Sequence, residues 1–338
     1  MRCLRRSPFA TVLPVAAGLL LQILPVVAAN GPDPPARDTL RAAAAGRDSA
    51  AVEADDSAAV RTEGSDLFPA VDSLRITDAR DSLSAAGDSA AAGTTPADSA
   101  QRRAPPIPLD QLRVVENNSF GVGERLEFEI SYGPINAGTA VMEVKEIVEV
   151  NGRDCYRVIS TARSNRFFSA VYRVEDRVES FIDTRGLFPW KFRQKLQEGK
   201  HRADRWAVYD QINHTASTNR GDLDMPPYVQ DVLSIMYYAR TREMAVGETL
   251  YVDSHSGKKV YPLAVKILRR ERVEVPAGDF DCLVVEPMLK AGGLFKHEGR
   301  IWVWLTDDSV RLPVLMKTKV IIGTVDAELK TYRLGKIL

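Results

Sequence analysis

The stretch "GERLEFEISYGPINAGTAVMEV", Gly123 to Val144, decides the fold. Leu126, Phe128, Ile130 and Tyr132 alternate with Glu127, Glu129 and Ser131, the period of a strand with one buried face. Gly133-Pro134 begins a bend, Gly138 releases the chain into a second strand, and Ala140, Met142 and Val144 resume the alternation. The glycines invite a second reading, a loop that grips a ligand. No helix start follows to receive an anion, so the stretch reads as a hairpin.

Working outward, the same texture continues to the C-terminus. Short period-two runs are expected at 154–162, 170–183, 189–198, 204–210, 248–254, 260–275, 280–287, 299–305 and 314–333, with turn signals at Asn151, Arg185, Glu198 and Ser256. One segment departs from it. In "PPYVQDVLSIMYYARTR", Val229, Val232, Leu233 and Met236 fall at helical spacing behind prolines, which predicts an amphipathic helix near 227–242. The fold class that follows is mainly β: a single domain over 107–338, on a curved antiparallel sheet (half-barrel or open barrel) with one covering helix.

Upstream the composition changes. Residues 1–29 carry Arg2, Arg5 and Arg6, then an apolar run from Thr11 to Val27 broken by Pro14 and Pro25, then small residues. This predicts an export signal cleaved after Ala29, since the run is shorter than the roughly 20 residues a membrane span needs. Residues 30–106 are rich in Ala, Asp, Ser and Pro with recurring Asp-Ser pairs, and read as a disordered linker that buries too little to offset its ordering entropy. "DLFPAVDSL" within it is a candidate docking motif, weighed against an inert spacer. The linker carries 13 acidic and 8 basic side chains, the domain 32 and 34. No basic block suits a phosphate backbone, so a nucleic-acid partner is not expected. No transmembrane span is expected in the mature chain.

Catalytic signatures are missing. There is no nucleophile elbow, zinc-binding helix, paired Cys-x-x-Cys or phosphate loop. The sequence therefore points to no catalytic residue, no metal and no cofactor. Asp253-Ser254-His255 and His297-Glu298 sit beside turns, where exposed polar residues are ordinary. Asp176 is different, because in "VYRVEDRVES" it shares the apolar face of Tyr172, Val174 and Val178. An inward carboxylate costs several kcal/mol unless paired, so it holds a basic group or turn, or it faces a ligand cavity. In "RIWVWLTDD" both faces of the strand are apolar, which fits a covered central strand or a groove wall carrying Trp302 and Trp304. Tyr132 joins Asp176, Trp302 and Trp304 as a ligand-binding candidate. Cys155 and Cys282 occupy similar strand–turn–Asp-Cys–strand settings, and export would let a disulfide between them persist.

Together "GERLEFEISYGPINAGTAVMEV", "VYRVEDRVESFID", "PPYVQDVLSIMYYARTR", "VPAGDFDCLVVEP" and "IWVWLTDDSVRLPVLMKTKVIIGTVDAELKTY" resemble, in order, the bacterial domain of unknown function 3108 family of exported Gram-negative envelope proteins. The likeness runs through about residues 120–335. It implies a periplasmic or outer-membrane-associated, β-rich domain and brings no reaction with it. At the level of fold alone, the expected sheet is similar to the lipoprotein carriers of the periplasm. Three functions are carried forward. The first is non-enzymatic binding of a lipid, glycolipid or protein segment in an apolar groove. The second is a structural or scaffolding module of the envelope. The third is a hydrolase using carboxylates, with Asp176 and a second carboxylate roughly 5–10 Å away.

Overall fold

The computed structural model describes residues 104–291, 294–295, 300–319 and 323–338. The expected cleavage after Ala29, nearly all of the 30–106 linker and His297-Glu298 lie outside them.

The opening hairpin is formed as its pattern requires. β1 (Arg125–Tyr132) buries Leu126, Phe128 and Ile130 and pairs with β2 (Ile135–Val150) across a two-residue Gly133-Pro134 turn. Gly133 takes φ +56°, which a glycine adopts at little cost. Gly138 lies inside β2 rather than at its start. A Cβ there would fall 2.1 Å from the Arg163 carbonyl oxygen, so only glycine lets the next strand come this close.

From β2 the chain meanders through β3 (Arg153–Ser164), β4 (Glu175–Asp183), β5 (Pro189–Glu198), β6 (His201–Asp210), β7 (Thr215–Thr218) and β8 (Leu223–Asp224). It then crosses to the opposite edge and meanders back through β9 (Thr249–Ser256), β10 (Lys259–Val275), β11 (Gly278–Ala291), the short β12 (Leu294–Phe295), β13 (Ile301–Thr306), β14 (Pro313–Lys319) and β15 (Thr324–Arg333). β15 pairs with β1, so the domain's first and last strands meet in the middle of the sheet. The free edges, β8 and β9, are neighbours in sequence. The result is a fourteen-strand antiparallel path, open between β8 and β9, with β12 hanging off β11.

The crossing segment fills that gap. Gln230 donates its N–H to the Asp253 carbonyl at 2.9 Å and accepts from the His255 N–H at 2.8 Å, a one-residue parallel bridge onto β9. Val229 packs with Tyr209, Ala216 and Met225 on the other side. The expected helix is present but shorter. α2 covers Ser234–Arg240, while Pro226–Leu233, including Tyr228 at φ +62°, is spent on turns and on this seam. A second short helix, α1 (Arg166–Val171), stands where the opening of a strand at 170 was expected, capped by Asn165 accepting from the Phe168 N–H at 2.9 Å.

Cys155 and Cys282 are both free and buried. They sit on β3 and β11 with five strands between them, so the disulfide that export would permit is not formed. Their settings are nonetheless alike, each thiol donating to the carbonyl two residues upstream.

Candidate functional site

α2 lies over the inner face of the sheet and is fixed at both ends. At its start Asp231 is fully buried and accepts from the N–H groups of Leu233 and Ser234, both at 2.8 Å, and from the Ser180 hydroxyl of β4 at 2.7 Å. The Ser234 hydroxyl in turn accepts from the Asp231 N–H, a reciprocal cap for the helix's first donors. Burial raises the Asp231 carboxyl to about 6 against the pull of these hydrogen bonds.

At the other end Arg240 forms a two-pronged ion pair with Glu124, at 2.8 and 2.7 Å, both side chains fully buried. Its remaining donors reach the Ser119 and Val310 carbonyls, and its guanidinium stacks on Phe120 and Tyr237. Every charge here is matched.

Between these anchors the helix and sheet enclose an apolar cavity of about 80 Å³. Met142 of β2, Met236 of α2, Met244 beyond it and Met316 of β14 line it, with Leu263, Val265, Val303 and Leu305 from the returning strands. Four of the chain's seven methionines thus converge on one space. At roughly 10–15 Å³ per water-sized body, the volume admits a short run of methylenes, not a whole lipid. Thioether side chains are unbranched and flexible, so such a wall can yield to a longer guest.

One row of paired, inward-facing residues runs out of this cavity across the sheet: Met142, Ser160, Val178, Gln194 and Arg205. Along it the wall changes from thioether to hydroxyl to guanidinium. Its far end lines a second, smaller pocket of about 30 Å³ with Phe192, Thr218, Arg220 and His255, and Val232 borders both spaces. His255 is neutral in character. Burial lowers it, its Nε2–H donates to the Gly257 carbonyl at 3.1 Å, and Nδ1 is left to accept from the Tyr209 hydroxyl at 3.0 Å. A larger concavity, about 370 Å³, lies on the outer face among Arg125, Lys145, Arg163 and Arg177. It is polar, with Glu143 paired to Arg125 in its wall, and its charges work in solvent and are screened.

The sequence candidates do not converge. Asp176 is 2% exposed on the inner face of β4, accepting from the Gln197 N–H at 2.9 Å through Oδ1. Its Oδ2 meets no partner among the described residues, and burial raises the carboxyl to about 6. It lines neither inner cavity. On β13 it is Val303 and Leu305 that reach the cavity; Trp304 is buried outside the lining and Trp302 stacks against Arg300 at 5.1 Å. Tyr132 stands at the hairpin end beside Gly323. The residues sequence reading missed are the four methionines, Glu124 with Arg240, and Gln194 with Arg205. Of these Met142 and Met236 carried a local signal, as members of an apolar strand face and an apolar helix face, and Gln194 did as the polar residue between Phe192 and Leu196.

Comparison with known proteins places this geometry in company. The family model described as "Protein of unknown function (DUF3108)" matches residues 127–330. No curated protein matches in sequence. Among solved structures, a β-barrel-like protein of the domain of unknown function DUF1849 from Brucella abortus is 11% identical, with a TM-score of 0.45 over 64% of this chain and 100% of its own. A protein assigned as exported, with a YmcC-like fold, from Bacteroides fragilis is 14% identical with a TM-score of 0.30, over 66% and 99%. A protein assigned as a lipoprotein from Parabacteroides distasonis is 10% identical with a TM-score of 0.31, over 66% and 100%. No helix among the described residues is long and apolar enough to cross a membrane, which leaves strand-based crossing untouched.

Proposed function

Because the chain belongs to the DUF3108 family, whose description assigns no activity, we propose a function from its own geometry: non-enzymatic binding, in the cell envelope, of one apolar chain of a lipid or glycolipid. The observation that carries it is the methionine-lined cavity beneath α2. A sheet of this size could have closed on a filled core, since interiors pack without voids larger than water as a rule. Here the space is kept, its walls are the most deformable apolar side chains, and a seven-residue helix serves as its cover. Burying one methylene contributes about 0.8 kcal/mol, so a chain of eight to ten carbons supplies about 6–8 kcal/mol of gross driving force, from which the costs of association are subtracted. Export and envelope residence complete the reading, supported by the basic and apolar start of the chain.

Native mass spectrometry of the full chain, with extraction and identification of bound lipid, tests this. Met236 is half-buried at the cover, so Met236→Trp should block the cavity while the fold melts within a few degrees of the parent. Co-purifying lipid should fall about tenfold. An empty parent protein that also takes up no lipid from mixed micelles would sink the reading, as would undiminished uptake by Met236→Trp.

A further inference from the structure

The small pocket beyond Val232 is rich in donors and poor in acceptors. Gln194 is 2% exposed, and its Nε2 meets no hydrogen-bond partner among the described residues. The Nε of Arg205 is likewise buried and unpartnered. A single long hydrogen bond joins the two, from Arg205 Nη1 to Gln194 Oε1 at 3.4 Å. Arg220, exposed on the β7–β8 turn, lines the same pocket, and neither arginine forms an ion pair among the described residues. Burial pushes the Arg205 guanidinium below its ordinary value, Arg220 repels it further, and Glu198 offsets this in part from a distance.

Leaving a buried amide and a buried guanidinium nitrogen unsatisfied costs on the order of 1–3 kcal/mol each. Two guanidinium forks and an amide N–H₂ aimed at one space form the donor set that carboxylates and phosphates take up. The pocket also lies at the open seam. The Ser256-Gly257 turn of the β9–β10 hairpin forms one lip and Arg220 the other, while Gln230 closes only the stretch beside it.

Building on the cavity reading above, we propose that this pocket seats the anionic head, a carboxylate or phosphate monoester, of a single-chain amphiphile whose tail passes Val232 into the methionine-lined cavity. Arg205 and Gln194 would bind the head from within, and Arg220 would meet it at the seam. The ligand is thereby narrowed from any lipid to one carrying one chain and one compact anion.

Calorimetric titration of the full chain at neutral pH and submicellar concentration, with dodecanoate, dodecyl phosphate and dodecan-1-ol, separates the possibilities. At least one anion should bind about tenfold more tightly than the alcohol, the ratio expected of one charge-assisted hydrogen bond. The tighter anion names the head group. Arg205→Gln and Arg220→Gln should each erase that preference while leaving alcohol affinity within about twofold. Arg220 is on the surface, so its variant folds even where Arg205→Gln does not. Equal binding of alcohol and anions by the parent would overturn the head site and leave the cavity reading standing. Binding of none of the three would overturn both. A preference that survives Arg220→Gln and a folded Arg205→Gln would place the anion elsewhere and overturn the assignment.

Discussion

The Glu124–Arg240 end of the interior and the wall formed by β4, β5 and β6 bury similar groups and treat them in opposite ways. At the first, a fully buried guanidinium gives four hydrogen bonds to one carboxylate and two carbonyls, so its charge is paired, although the Tyr237 hydroxyl and Arg311 Nε nearby meet no partner among the described residues. At the second, Asp176 Oδ2, Gln194 Nε2 and Arg205 Nε are buried without partners among the described residues. Satisfied charges of this kind hold a helix in register; unsatisfied ones subtract from stability wherever they stand. The contrast separates the part of the interior that pairs the charge at the end of α2 from the part where Gln194 and Arg205 have donors to offer a ligand.

Breaking the satisfied end should have the largest effect. Glu124→Gln leaves Arg240 as an uncompensated buried cation and should cost about 3–5 kcal/mol, or roughly 10 °C in melting temperature for a domain of this size. The double variant Glu124→Leu with Arg240→Met should recover most of the loss, because two matched apolar groups need no partner. Chemical denaturation of the three proteins checks both statements. A single variant within about 1 kcal/mol of the parent would remove the anchor from the comparison.

The opposite end of α2 should be somewhat less costly to disturb. Asp231→Ala removes three accepted hydrogen bonds, two of them from the backbone at the helix start, for about 2–3 kcal/mol. Hydrogen exchange should show the loss concentrated in Ser234–Arg240, and Ser180→Ala alone should give a smaller part of it. Uniform loss of protection across the sheet would show that Asp231 supports the whole fold instead of the helix.

How much of this could be read in advance follows from which signals are local. The hairpin was legible because Leu126, Phe128 and Ile130 alternate with charges and Gly133-Pro134 supplies the turn. Asp176 was legible too, since a carboxylate on an apolar face breaks the strand period. The helix was half legible. Val229 and Val232 stand at helical spacing, yet Val229 packs on Tyr209 and Ala216 and Val232 divides two cavities, so two separate burial demands mimic one helical face. α1 was missed because it is six residues long, with Phe167 and Val171 exposed and only Phe168 packed on the core, which traces no helical period. Glu124 and Arg240 stand 116 residues apart, and no local pattern links them. Gln194 and Arg205 are opposite one another on β5 and β6; Phe192 and Leu196 flank Gln194 and mark its inward face, whereas β6 mixes apolar and polar residues on both faces and hides which way Arg205 turns.

The unsatisfied wall gives the smallest effect, and one of opposite sign. Asp176 keeps its proton more tightly folded than unfolded, since burial raises the carboxyl from its ordinary 3.8 to about 6. Between those values the folded state binds more protons than the unfolded chain, so this group's contribution to stability falls as pH rises from about 4 to 6 and stays low above. Full conversion of that difference gives at most about 3 kcal/mol. Asp176→Asn keeps the Oδ1 acceptor for the Gln197 N–H and removes the charge. It should therefore stabilise the protein by about 1–2 kcal/mol at pH 7, with the gain shrinking to nothing near pH 4. Asp231 titrates in the same window and is untouched, so part of the parent's slope between pH 4 and 6 should remain in the variant. Melting curves at half-unit steps from pH 4 to 8 read this directly. A variant less stable than the parent at pH 7 would mean that the ionised Asp176 has a partner in solution, and would move it from the unsatisfied wall to the satisfied side of the comparison.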